Sequence, residues 1–136
     1  MYRYVANAED LPDLQAAFAG PRSAFWVALD SHHDERATVA GCIGLLPTDE
    51  PHTAELVRFV VSEHHRGQGV GRALVQALEL HAVHLGYTTL TLRTNNILKP
   101  ALSFYAKAGF ELERVQRRRL LRGDLLFYRK PLVASK

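Results

Sequence analysis

Long apolar runs, paired cysteines and a strong charge of one sign are all missing from this chain of 136 residues. No apolar stretch approaches the roughly 20 residues that a helix needs to cross a bilayer. The opening Met1-Tyr2-Arg3-Tyr4-Val5 lacks the apolar core of a secretory signal. Cys42 is the single cysteine, so no intrachain disulfide can form and cysteine-based zinc sites are excluded. A reducing cytoplasm is the simplest home, and a soluble piece of a longer anchored protein fits the same facts. Lys and Arg number 17 against 14 Asp and Glu, for a formal charge of +3. That balance suits anionic small molecules or acidic substrates and does not demand nucleic acid.

What remains is an ordinary globular composition, 47% hydrophobic and 23% charged. Internal repeats, low-complexity segments and linkers are absent, so residues 1–136 read as one domain. The pattern predicts a strand at Tyr2–Val5, a short helix over Leu11–Ala19, strands at Ala24–Leu29 and Thr38–Leu46 joined by a polar turn at Ser31–Arg36, and a strand at Glu55–Val61. Val70, Leu74, Ala77, Leu78, Ala82 and Leu85 then recur at helical spacing, with Gly86 where a C-terminal cap belongs. A strand at Tyr87–Leu92 and a helix at Pro100–Ala108 follow. The last two strands, Phe110–Leu121 and Asp124–Arg129, flank a hairpin turn at Arg122-Gly123. The fold class is therefore α/β (α+β), with a central parallel strand–helix–strand unit. The outer hairpins are expected to be antiparallel, giving a mixed, mostly antiparallel sheet of six to seven strands with helices on both faces.

The segment Arg66-Gly67-Gln68-Gly69-Val70-Gly71-Arg72 joins a strand to a helix. Its glycines let the backbone turn tightly and approach a ligand, and the helix start adds unpartnered N–H groups. Arg66 and Arg72 add charge-assisted donors, so a pyrophosphate fits. A Walker loop needs Gly-Lys-Ser/Thr, which is absent. A Rossmann loop needs a small residue where Arg72 stands, and an acidic residue about 20 positions on. No Asp or Glu lies between Glu79 and Glu111. Arg93 keeps an NADP reading open, and an ordinary glycine-rich turn is the plain alternative.

Arg58 and Arg93 are charges inside otherwise apolar strands and want partners. They can take the carboxylate of an acceptor, or pair internally with Glu55 or Glu79. Strand alternation puts Glu55, Val57, Phe59 and Val61 on one face. Among seven histidines only His81 and His84 share helical spacing, and nothing completes a ligand set, so no metal is expected. Arg114, Arg117, Arg118, Arg119 and Arg122 read as a solvated strand edge that discourages sheet pairing rather than as a nucleic-acid surface, with steering of an acidic acceptor or of the coenzyme phosphates as a middle option.

Arg66-Gly67-Gln68-Gly69-Val70-Gly71, after Ala54–Val61 and before Leu92–Asn95 and Pro100–Phe110, resembles the central motifs of the GNAT superfamily of acetyltransferases. Phe25-Trp26-Val27-Ala28 with Glu55-Leu56-Val57-Arg58 is similar to the Camello-type amino-acid and cysteine-conjugate N-acetyltransferases. The resemblance covers nearly the whole chain. One departure is that residues 7–22 leave room for about one helix where the family usually has two.

The resemblance implies acetyl-CoA as co-substrate and direct attack by a primary amine of a small molecule or amino acid. It implies that Tyr105 protonates the departing sulfur, that Glu55 acts as base through water, and that Asn95 holds the pantetheine arm or an ordered water. Phe59, Val60 and Val61 would offer backbone groups to the pantetheine, and residues 66–72 would hold the pyrophosphate. Trp26, Arg58 and Arg93 would meet the acceptor. The plain alternatives are an aromatic anchor for Tyr105, a turn residue for Asn95 or Asn96, and a surface carboxylate for Glu55. A non-catalytic acyl-CoA-binding module, or a protein N-terminal or lysine acetyltransferase, would share these motifs. A monomer or homodimer without nucleic acid or a membrane segment is expected.

Overall fold

A computed structural model describes residues 2–5, 16–30, 38–97 and 99–133. Seven strands form one sheet: β1 (Tyr2–Val5), β2 (Ala24–Asp30), β3 (Thr38–Pro47), β4 (Thr53–Val61), β5 (Thr89–Asn95), β6 (Glu111–Gln116) and β7 (Leu125–Pro131). Their order is β1-β2-β3-β4-β5-β7-β6. A 3-10 turn at Glu63–His65 leads to helix α1 (Val70–His84), and α2 (Lys99–Lys107) follows β5. The expected helix over Leu11–Ala19 lies mostly outside the described residues, which include its helical positions 16 and 17. The expected turn at Ser31–Arg36 also lies outside them.

Helix α1 forms because its apolar residues recur every turn. Val70, Leu74, Leu78 and Ala82 are all buried, and Gly86 takes φ 90° just past the end. This stripe packs on one face of the sheet with Trp26, Ile43, Leu45 and Leu56. A smaller cluster of Phe18, Phe25 and Val27, with Val57 against it, covers the other face. Lys130 on β7 fastens the helices together. Its Nζ bonds Glu79 on α1 at 2.6 Å and the Ala108 carbonyl beyond α2 at 2.7 Å.

Only β4 and β5 run parallel; all other described pairs are antiparallel. The expected parallel crossover and the antiparallel flanks are both present. Two expectations change. The last hairpin is shorter in strand and longer in loop: β6 ends at Gln116, so residues 117–124 form a loop and not a two-residue turn. Of the five arginines read as a strand edge, only Arg114 is therefore on a strand. The face of β4 is the second correction. Gly44 stands opposite Val57 and Cys42 opposite Val60, so Ile43 alone faces Arg58 and Phe59. This bulge, where Arg58 takes φ 51°, flips the alternation. Val57 faces the Phe18 cluster, whereas Phe59 and Val61 join Leu56 on the α1 face.

Candidate active site

Strand β4 pairs with β5 only from Thr53 to Glu55, opposite Thr89 to Thr91. Beyond that point the strands part. The free edge of β4 then presents unpaired backbone groups to a cleft, where an extended ligand can bond as an added strand. The cleft has a volume of about 480 Å³ and is lined by Glu55 to Phe59 on one side and Leu92 to Thr94 on the other. Ala101, Tyr105 and Leu125 complete its wall. The bulge at Arg58 and Phe59 lies within this wall. A non-glycine residue at left-handed φ is a strained conformation of the kind that collects at functional sites.

Tyr105 projects from α2 and is 8% exposed. Its ring stands 6.3 Å from Phe59, 5.9 Å from Phe104 and 6.1 Å from both Phe110 and Tyr128. Burial among these rings pushes the phenol above its ordinary value, so it keeps its proton at neutral pH. The aromatic-anchor reading and the acid reading thus describe one residue that is both packed and at the cleft wall.

Glu55 and Arg93 both line the cleft, on opposite strands. Arg93 Nε donates to Glu55 Oε2 at 2.7 Å and Nη2 to Oε1 at 3.4 Å. Of the two readings of Arg93, the internal ion pair with Glu55 is thus the one present. Arg58 is exposed and lines the same cleft.

Asn95 ends β5, and its Oδ1 accepts from Ile97 N at 3.1 Å. Asn96 Oδ1 accepts from Asp124 N at 3.0 Å. Both side chains therefore organise turns, and Thr94 rather than Asn95 lines the cleft. Trp26 is a correction. It is 6% exposed and packs edge-on against His81 at 5.4 Å, within the core under α1. A ring so placed does not meet an acceptor in the cleft.

The loop before α1 keeps its donors open. Gly67 and Gly69 have φ 78° and 85°, the left-handed region where a side chain is strained. Gly69 caps the helix with no side-chain bond to it. The Val70, Gly71 and Arg72 N–H groups therefore have no helical carbonyl to meet. Val70 itself is buried, so only its backbone is available. A Cβ on Gly71 would come within 3.1 Å of the Phe59 ring, so the helix start lies close to the cleft wall. Arg66 Nε donates to Val61 O at 3.2 Å, and Gln68 Nε2 to His64 O at 3.3 Å, which shapes the loop. Arg66 and Arg72 are exposed. These donors and this backbone fit a pyrophosphate. A second hollow of about 360 Å³ between the helices is lined partly by Arg72, Phe104 and Lys107.

Phe104, Thr94, Ala101 and Leu125 were not singled out from the sequence. Phe104 had a readable signal, since it adjoins Tyr105 on one helix. The others are ordinary residues whose place depends on the parting of β4 and β5. Among the described residues no group of His, Cys, Asp and Glu could hold a metal. No helix there is long and apolar enough to cross a membrane.

Residues 1–110 match the acetyltransferase (GNAT) family. N-acetyltransferase family 8 member 2 of Rattus norvegicus is 35% identical over 114 residues, covering 79% of this chain and 48% of the relative. The chain thus spans about half the length of the curated relatives it matches. The ribosomal-protein-S18-alanine N-acetyltransferase of Escherichia coli superposes with a TM-score of 0.79 at 19% identity, covering 100% of this chain and 97% of that one. A Bacillus subtilis acetyltransferase solved in complex with CoA superposes at 0.75 with 21% identity, covering 98% and 100%.

Proposed function

Since the chain belongs to the GNAT acetyltransferase family, we propose that it moves an acetyl group from acetyl-CoA to a primary amine of a small molecule or amino acid. The observation that carries this reading is the cleft itself. β4 and β5 part after Glu55, the bulge turns Phe59 toward Tyr105, and the open donors of α1 lie beside the same wall.

Acetyl-CoA brings the thioester; the chain contributes the rest. The N–H groups of Val70, Gly71 and Arg72, with Arg66 and Arg72, hold the pyrophosphate. The free edge of β4 around Phe59, Val60 and Val61 bonds the pantetheine amides. A backbone N–H on that edge stabilises the oxyanion as the amine attacks directly. Tyr105 then gives its proton to the sulfur as the carbon–sulfur bond breaks. Before attack, Glu55 takes the acceptor's ammonium proton through water, with Arg93 holding its carboxylate in place, and the proton the nitrogen sheds as the amide forms restores the Tyr105 phenol. Arg58, exposed at the rim, meets the acceptor's anionic group.

Thiol release from acetyl-CoA across a panel of amines tests the proposal. Turnover with at least one amine is expected. Tight acetyl-CoA binding with no thiol release from any amine would leave a binding module instead. Glu55→Gln is expected to lower kcat/KM about 10-fold near neutral pH, with the deficit narrowing as pH rises and free amine accumulates. A deficit that does not depend on pH, and that Arg93→Met reproduces, would make Glu55 a structural partner only.

A further inference from the structure

The loop between β6 and β7 carries Arg117, Arg118, Arg119, Leu120, Leu121 and Arg122 in one run. Leu120 is 99% exposed and Leu121 62%. Arg117, Arg119 and Arg122 are exposed beside them. Arg118 turns inward and shapes the tip, donating to Gly123 O at 3.2 Å and Arg122 O at 3.3 Å. The base of the loop is clamped to the end of β5. Asn96 Oδ1 accepts from Asp124 N at 3.0 Å, and Asn96 N donates to Asp124 O at 3.2 Å. Ile97, half exposed, lies against Gly123, where a Cβ would come within 2.8 Å of it. The two leucines are thus displayed on a braced turn. Asp124 is the one carboxylate within residues 117–124.

A single exposed leucine needs no explanation. Two adjacent ones at a tip with four arginines do. A nucleic acid would use the arginines and leave the leucines in water. A protein groove would take the leucines and has no need of so many cations. An anionic bilayer satisfies both, because apolar side chains enter the headgroup–acyl boundary while guanidinium groups meet lipid phosphates.

We propose that this tip docks the domain on an anionic lipid surface, with Leu120 and Leu121 in the headgroup region and Arg117, Arg119 and Arg122 on the phosphates. Leu125, at the start of β7, lines the cleft, so docking sets the cleft beside the membrane.

Sedimentation with vesicles of phosphatidylcholine alone and with added phosphatidylserine is the test. Binding is expected with phosphatidylserine only. Replacing any one of the three exposed arginines by Gln should weaken it about fivefold. The pair Leu120→Ser and Leu121→Ser should weaken it about 10-fold or more. Thermal unfolding and thiol release with a soluble amine should not change in any of these variants. As a direct readout, Leu120→Trp should add emission that shifts to the blue on the anionic vesicles. No sedimentation with phosphatidylserine, or no blue shift, would overturn the proposal. So would undiminished vesicle binding by the Ser pair, especially if heparin displaced the chain, since that would mark a site for soluble polyanions.

Discussion

Tyr105→Phe is expected to lower kcat for acetyl transfer by about 10-fold or more, with the KM for acetyl-CoA nearly unchanged. The substitution removes one oxygen and keeps the ring that packs on Phe59, Phe104, Phe110 and Tyr128. Folding and coenzyme binding should therefore survive, and the loss should fall on the departure of sulfur. The pH dependence follows from the direction of the shift. Burial raises the phenol above its ordinary value of about 10, so the protonated, proton-donating form persists through neutral and mildly alkaline pH. The wild-type rate should rise with pH as the amine loses its proton, and fall only above the ordinary phenol value. Steady-state kinetics across pH on both proteins checks this. An unchanged kcat in the variant would leave Tyr105 as a packing residue alone.

Leu78→Ala is expected to destabilise the fold by about 2–5 kcal/mol and to lower the melting temperature by about 10 °C or more. Leu78 is fully buried on the α1 stripe, and truncation leaves a cavity against the sheet. Against a typical total of about 5–15 kcal/mol, that is a large share. Helix α1 also presents the open N–H groups beside the cleft, so one substitution far from the chemistry should weaken acetyl-CoA binding as the helix loosens. Thermal melts with and without acetyl-CoA measure both effects. A shift of less than a few degrees would mean that α1 contributes little to the core.

Much of this was readable because it is local. Val70, Leu74, Leu78 and Ala82 announce their helix by spacing alone, and Gly86 marks its end where a left-handed residue is required. Residues 66–72 mark a tight strand-to-helix turn by their glycines, and Gly67 and Gly69 take φ 78° and 85° there. What escaped the sequence depends on distant partners. The bulge at Arg58 exists only because Ile43 faces two residues of β4, so strict alternation misplaced Phe59 and Val61. Trp26 has the character of an acceptor contact in the sequence, but α1 covers it. The sequence offers Arg93 either Glu55 or Glu79 as an internal partner, and the parallel pairing of β4 with β5 decides for Glu55, 38 residues away. Residues 117–121 have the arginine and leucine content of an edge strand, yet β7 pairs with β6 only as far as Gln116.

The strand order β5-β7-β6 also constrains how the chain is made. Strand β7, synthesised after every other strand, sits between two that precede it. Until Leu125–Pro131 emerges from the ribosome, β6 has no neighbour, one edge of β5 stays open, and Lys130 is not there to join the helices. The growing chain cannot close its sheet as it is made, so assembly of this half must await nearly all of the sequence. A ribosome-bound chain stalled before residue 125 should be cut readily by protease across β5 to β6, and become resistant once residue 131 has cleared the exit tunnel.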